Sequence, residues 1–284
     1  MMLTEPIAVL DVGGSFIKTG VVRGAAVELG ATFPALSTAA AEVVLGQLAS
    51  ATTAALGLGG DSIVGLAISV PGPFDIRAGV ALMSDVHKFE SIYEFELRHE
   101  IRARTAIADL PIEFVHDNDA AGVGEARAGA GVGYGRVLTI TLGTGVGSCL
   151  TERGQLVDKV GDLTIELLAM RPTEWGRADD VLSARGLAKR LNVAMADLPQ
   201  AVADPSSYEI VADHGHRVGT FLSPVAKEVD ADVVVIGGGL SAAFDRFGPS
   251  LREALHPVEC LPATLGARGP LLGAAQLAFS TPHR

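Results

Sequence analysis

The stretch Ile7-Ala-Val-Leu-Asp11-Val-Gly13-Gly14-Ser15-Phe-Ile-Lys18 reads as a short apolar run, a glycine turn and a second apolar run that continues to Val22. Glycine reaches positive φ cheaply and lets backbone N–H groups approach a ligand, so such a turn makes an anion nest. Leu138 to Leu150 repeats the pattern, with Leu142-Gly-Thr-Gly-Val-Gly-Ser148 as its turn. Two similar hairpins about half a chain apart predict two domains of related topology facing each other across a cleft.

Around these hairpins, strand and helix signals alternate. Ile63 to Val70 ends at Pro71-Gly72-Pro73, Ile112 to Val115 ends at His116-Asp117-Asn118-Asp119, and Val233 to Ile236 ends at Gly237-Gly238-Gly239. Helical patterns fall near 41–56, 91–104, 119–128, 183–191, 216–229, 245–255 and 271–279. Alternating β and α elements predict an α/β fold with helices on the sheet faces. The expected division is residues 1–116 and 117–270, with a hinge near Val115 to Glu125 and a C-terminal helix, about 271–284, packing back on the first domain.

Composition narrows the function. The chain has 284 residues, 48% hydrophobic and 19% charged, so it is long and apolar enough for a sizeable core. Acidic residues outnumber basic ones 33 to 22, a formal charge of −11. No basic face for nucleic acid or an anionic membrane is expected from such a balance. Cys149 and Cys260 are too few for a disulfide framework or a Cys-rich zinc site, which points to a reducing, cytoplasmic setting. The N-terminus lacks a basic secretion-signal region, and the uncharged stretch Val43 to Gly60 is too rich in Ala, Thr, Ser and Gly to read as a spanning helix.

Neither of the first two glycine turns has P-loop or dinucleotide-fingerprint spacing. Asp11, Ser15 and Lys18 add polar groups to the first, and Thr144 adds a hydroxyl to the second, between Gly143 and Gly145. The cluster His116-Asp117-Asn118-Asp119 follows a strand, where α/β proteins bind ligands. A carboxylate there can accept a proton from an attacking hydroxyl, while Asn118 or Asp119 can cap the helix that follows. His214-Gly-His216 has the residues to ligate a metal but reads better as a solvated helix start, and Trp175 with Arg171, Glu174 and Arg177 reads as a polar surface loop.

Taken together, these residues resemble the ROK-family sugar kinases of the actin/hexokinase superfamily. Asp11-Val-Gly-Gly-Ser-Phe-Ile-Lys18 is similar to that family's first phosphate motif, Val70-Pro-Gly-Pro-Phe-Asp75 to its PGP turn, and Thr141-Leu-Gly-Thr-Gly-Val-Gly147 to its second phosphate motif. Val235-Ile-Gly-Gly-Gly-Leu240 is similar to its adenosine motif. His116 to Glu125 resembles its catalytic segment, in which the base lies eight residues before the closing glutamate. Counted back from Glu125, the base is Asp117. The run around it looks closest to the compact polyphosphate/ATP glucokinase branch.

The resemblance implies two actin-like domains, ATP and Mg²⁺ as cofactors, and a homodimer. Gly13, Gly14, Gly143, Thr144 and Gly145 would cradle phosphates, Gly237, Gly238 and Gly239 would let adenosine approach, and Asp11 would position Mg²⁺ through water. The sugar-reading residues depart from the pattern. His116 stands for an asparagine, Asp85 is the candidate for another, and Lys159-Val-Gly-Asp-Leu-Thr-Ile-Glu166 lacks the family's histidine and zinc cysteines. Asp162 or Glu166 could supply a sugar-contacting carboxylate, with Thr164 or Ile165 in the histidine's place. No zinc is therefore expected.

The acceptor implied is a sugar or sugar-like polyol other than plain glucose, with a C7-cyclitol or an amino sugar as alternatives. A glucokinase with a drifted pocket and a non-catalytic sugar-binding protein are the other readings. A repressor of the same family would need a DNA-binding domain before Asp11, and the ten residues preceding it are too few for a helix-turn-helix.

Overall fold

A computed structural model of the chain describes residues 5–84, 88–105, 107 and 109–279. Two compact units divide it, Met1–Gly124 with Ala267–Arg284, and Glu125–Gly266.

In the first unit β1 (Ile7–Val12) pairs antiparallel with β2 (Phe16–Arg23), and β2 with β3 (Ala26–Pro34). α1 (Ala41–Gly59) leads to β4 (Gly65–Val70), which lies parallel to β1 on its other side. α2 (Leu97–Arg104) leads to β5 (Ile112–His116), parallel to β4, giving the order β3-β2-β1-β4-β5. Every residue of β1 and β4 is buried, as central strands covered on both faces must be.

By length and composition alone α1 could cross a membrane. Its Val44, Leu45, Leu48, Ala51, Thr52 and Ala55 are buried, and the apolar ones share a core with Leu10, Ile17 and Leu66. That packing accounts for its hydropathy. The opposite sheet face is covered by α3 (Asp117–Ala128) and by α9 (Arg268–Phe279), whose Leu271, Leu272, Ala274 and Ala275 meet Val9, Ala67 and Ala120.

The second unit repeats this order. β6 (Arg136–Leu142) pairs antiparallel with β7 (Val146–Glu152), which pairs with β8 (Gln155–Leu156). β9 (Val233–Gly237) lies parallel to β6, and β10 (Glu259–Pro262) parallel to β9. The order β8-β7-β6-β9-β10 matches the first sheet pairing for pairing. α4 (Ala178–Leu182), α5 (Ala184–Leu191), α6 (Leu198–Ala203), α7 (Tyr208–Glu228) and α8 (Phe244–Leu255) lie between β8 and β10 in the chain. Their apolar faces share one core with Leu138, Ile140 and Ile236.

Several boundaries differ from the sequence expectation for identifiable reasons. The division of the chain falls after Gly124, inside α3, rather than at 116/117. Ala120 is buried against α9, and a Cβ on Gly273 would lie 1.8 Å from the Ala120 carbonyl oxygen, so these two helices touch backbone to backbone. β3 was invisible as a strand because it is an edge strand with mostly exposed side chains and no clear alternation. α2 starts at Leu97 rather than 91, because the Glu96 carboxylate accepts from Arg98 N and His99 N and caps it there. α7 begins at Tyr208, well before 216. His214 is thus not at a solvated helix start but fully buried mid-helix.

Candidate active site

The first glycine turn joins two strands in tight register, with Asp11 opposite Lys18. Gly13 N donates to the Phe16 carbonyl at 2.9 Å, and Ala35 N donates to the Ser15 carbonyl at 2.9 Å. Ser37 Oγ holds the Gly14 carbonyl at 2.6 Å. Asp11 is 7% exposed, and both its carboxylate oxygens are occupied. Lys18 Nζ lies 3.0 Å from Oδ2, and Ser69 Oγ donates to Oδ1 at 2.9 Å. Each carboxylate oxygen retains a second lone pair, so a hydrated Mg²⁺ fits this donor set. Ser69, buried in the apolar run of β4, was not singled out from the sequence.

Asp117 sits where β5 ends and α3 begins, and its Oδ1 accepts from Asn118 N at 2.8 Å. The carboxylate thus accepts from a backbone N–H in the first turn of its own helix. Desolvation pushes its pKa up to about 6. The Lys88 ammonium opposes that rise and the Asp11 carboxylate adds to it. This mutual influence ties Asp117 to the first glycine turn within the same unit. His116, half-buried, is the last residue of β5 and pairs in register with Val70, the residue before the PGP turn. Asp85, three residues before Lys88 in the sequence, lies outside the described residues.

In the second unit the other two glycine turns come together. Gly143 N donates to the Gly145 carbonyl at 2.9 Å, and Ala184 N, the first residue of α5, donates to the Gly143 carbonyl at 2.8 Å. Thr144 is exposed between them. Gly237 closes β9, and Gly238 follows with φ +79°. A Cβ on Gly238 would lie 2.6 Å from the backbone N and O of Leu142, the residue before Gly143. Only glycine permits both that φ and that approach. Gly239 then opens a short 3₁₀ turn, with Ser241 Oγ donating to the Gly238 carbonyl at 2.7 Å.

Asp179 of α4 was missed in the sequence. Its Oδ1 accepts from Val146 N at 2.8 Å and its Oδ2 from Arg185 at 2.9 Å, which anchors the second glycine turn to α4 and α5. Asp162 is exposed at the tip of the hairpin formed by Lys159–Val160 and Leu163–Thr164, and Glu166 is exposed in the short helix that follows. Among the described residues no hydrogen bond fixes either carboxylate toward the glycine turns. Of the two residues considered for the histidine position, Ile165 is buried and Thr164 half-buried. Among the described residues no group of three or more His, Cys, Asp or Glu side chains is placed to hold a metal ion directly.

The duplicated sheet order and paired glycine hairpins define an α/β fold of the actin-like ATPase class. The ROK family profile matches residues 7–159, more than half of the chain, and the chain belongs to the ROK family. Comparison with curated protein sequences finds no match. Among solved structures it is similar to a ROK hexokinase from Thermus thermophilus, with 25% identity, TM-score 0.73, and 97% of this chain and 98% of that chain covered. It is also similar to an inorganic polyphosphate/ATP-glucomannokinase from Arthrobacter sp. strain KM, with 26% identity, TM-score 0.71, and coverage of 95% and 97%. The fold is shared with a ROK family glucokinase from Streptomyces griseus in complex with glucose and AMPPNP, at 23% identity, TM-score 0.78, and coverage of 97% and 100%.

Proposed function

We propose that this protein is an ATP- and Mg²⁺-dependent kinase that phosphorylates a hydroxyl of a sugar or sugar-like polyol other than plain glucose. The observation that carries this reading is Asp117, a carboxyl at a strand end whose pKa is raised to about 6 and which feels Asp11 of the first glycine turn. A base poised near neutral pH is suited to take a proton from an alcohol. In the reaction proposed, the acceptor oxygen bonds to the γ-phosphorus, its proton passes to Asp117, and ADP leaves.

The first glycine turn, with Ser15 and Lys18, is assigned to the phosphates, and Asp11 to Mg²⁺ through water. When bound, that ion would neutralise phosphate charge. Gly143, Thr144 and Gly145 are assigned to phosphate as well. Gly237, Gly238 and Gly239 are assigned to the adenosine, because backbone without side chains leaves room for it. The hexokinase and glucomannokinase relatives support the sugar class. The departure from glucose rests on His116 in place of an amide, on Thr164 in place of an imidazole, and on the exposed Asp162 and Glu166. A site that pairs each sugar hydroxyl with a placed partner loses about 1–3 kcal/mol for each one left unpaired.

The test compares Asp117→Asn with Asp119→Asn in acceptor-dependent ADP release. Asp117→Asn is expected to lose roughly 10²–10⁴-fold in turnover, with Asp119→Asn close to wild type. The reverse order would move the base to Asp119.

A further inference from the structure

We infer that Lys88, with the hydroxyl-lined groove beside it, forms an anion subsite next to the acceptor base, so that a substrate carries a phosphate or carboxylate group there. The inference rests on the kinase reading and adds a charge requirement to it.

The groove has a volume of about 360 Å³ and is lined by Ser37, Thr38, Ala39, Lys88, Glu90 and Ser91. Its two sides are joined, since Phe89 N donates to the Ser37 carbonyl at 2.6 Å while Ser37 Oγ holds Gly14. The Lys88 stem runs along the first glycine turn, its Cδ 3.7 Å from where a Cβ on Gly14 would sit. The groove therefore adjoins the turn assigned to phosphate.

The two lysines near this turn differ in one respect. Lys18 is paired with Asp11 at 3.0 Å. Lys88 is half-buried, and among the described residues no carboxylate lies within ion-pair distance of its ammonium. Glu90, the acidic residue lining the groove, is already engaged. Among the described residues the Asp117 carboxylate acts on the Lys88 ammonium from beyond ion-pair distance, so an oxyanion in the groove would be its contact partner and gain a charge-assisted bond. The neighbouring hydroxyls of Thr38 and Ser91 can donate to the same oxyanion. Such a site accepts a planar carboxylate or a phosphate, and it disfavours an ammonium substituent at that position. An amino sugar is thus a poor fit.

The anion could be a substituent of the acceptor or the phosphate chain of the donor, and direct binding separates the two. Calorimetry is run on wild type, Lys88→Met, Lys88→Gln and Lys88→Arg with glucose, glucuronate, glucose 6-phosphate and AMP-PNP·Mg²⁺, thermal melts confirming that each variant is folded. An acceptor anion predicts glucuronate or glucose 6-phosphate binding at least fivefold tighter than glucose. That advantage would be lost in Lys88→Met and Lys88→Gln and kept in Lys88→Arg. A donor anion predicts the same pattern in AMP-PNP affinity, with at least a tenfold loss. Either result supports the subsite. Affinities for all four ligands that are unchanged in Lys88→Met and Lys88→Gln would overturn it. Because no turnover is read, a failure of the kinase reading shows separately, as absence of acceptor-dependent ADP release in the wild type.

Discussion

Lys18 Nζ lies 3.0 Å from the Oδ2 of Asp11, its register partner across β1 and β2. With Ser69 on the other oxygen, the buried Asp11 carboxylate is held from two sides. Lys18→Met leaves it with Ser69 alone. Because Lys18 is 40% exposed, solvent screens the pair and the expected loss of stability is modest, about 1 kcal/mol. Asp11→Asn keeps an oxygen acceptor for Lys18 but removes the charge proposed to position Mg²⁺. Its half-saturating Mg²⁺ concentration should rise about tenfold, a loss of about 1.4 kcal/mol in binding. A Mg²⁺ titration of turnover, together with urea denaturation of both variants, checks the pair. An unchanged Mg²⁺ dependence in Asp11→Asn would remove Asp11 from the metal's neighbourhood.

Asp117 makes a prediction about pH. The base works ionised, so kcat/KM should fall below about pH 6, where the raised carboxyl takes up its proton. Stability should move the other way. A carboxyl titrating near 6 in the folded state and near 3.8 otherwise binds more protons folded than unfolded across that window. Its contribution to stability therefore falls as pH rises through it. Asp117→Asn should unfold at higher denaturant than wild type at pH 7.5, by about 1–2 kcal/mol after allowance for partial exposure. The two should coincide near pH 4. Wild type proving the more stable at pH 7.5 would contradict this.

Glu125 makes a prediction about the fold. It is 4% exposed, and its carboxylate accepts from Ala130 N at 2.9 Å, Leu265 N at 2.9 Å and Thr264 N at 3.1 Å. It ties the start of the second unit to the segment just before α9. Glu125→Gln would turn an NH₂ toward N–H donors and leave some unpaired. The expected cost is about 2–4 kcal/mol, given that a buried bond to a charged group contributes about 1.5–3 kcal/mol. Denaturation read by circular dichroism is the check, and a loss below about 0.5 kcal/mol would show the contacts to be dispensable.

Adjacent glycines should respond differently. At Gly238 a methyl would meet the Leu142 backbone at 2.6 Å with φ at +79°, so Gly238→Ala should cost more than about 2 kcal/mol and weaken ATP binding. At Gly237 the nearest atom to a Cβ is Thr141 Cγ2 at 3.6 Å, so Gly237→Ala should be nearly neutral in stability. Equal effects on melting temperature in the two variants would show that close approach to Leu142 is not what requires Gly238.

How much of this was legible in the sequence follows from where each signal resides. The glycine turns and the strand-to-helix junction that carries Asp117 were readable because they are written in contiguous residues, and the repeated hairpins foreshadowed the matching sheet orders. Asp179 was not, because it reaches the second turn from 33 residues beyond Val146, a contact that only tertiary packing creates. His214 was misread because polar and glycine residues break the apolar pattern of α7. There, Gly215 and Gly219 instead admit the backbone of α8, with Cβ positions 2.1 Å and 2.5 Å from the Phe247 and Leu251 carbonyl oxygens. Trp175, read as a surface residue, is half-buried with the Arg217 guanidinium 4.8 Å above its ring. Lys88 sits three residues after Asp85, the residue that drew the reading of that stretch, and nothing in the sequence distinguishes it from a solvated lysine.

The most direct test of the account is a coupled ADP-release assay of the wild-type protein with Mg²⁺·ATP over neutral hexoses, sugar acids, sugar phosphates, amino sugars and cyclitols. The prediction is acceptor-dependent ADP release with at least one acceptor preferred over glucose, and glucose itself below about 10⁴ M⁻¹s⁻¹ in kcat/KM, the lower end of the ordinary enzyme range. Glucose above that value and ahead of every other compound would contradict the altered-acceptor reading, and no stimulation by any acceptor would contradict the kinase assignment itself.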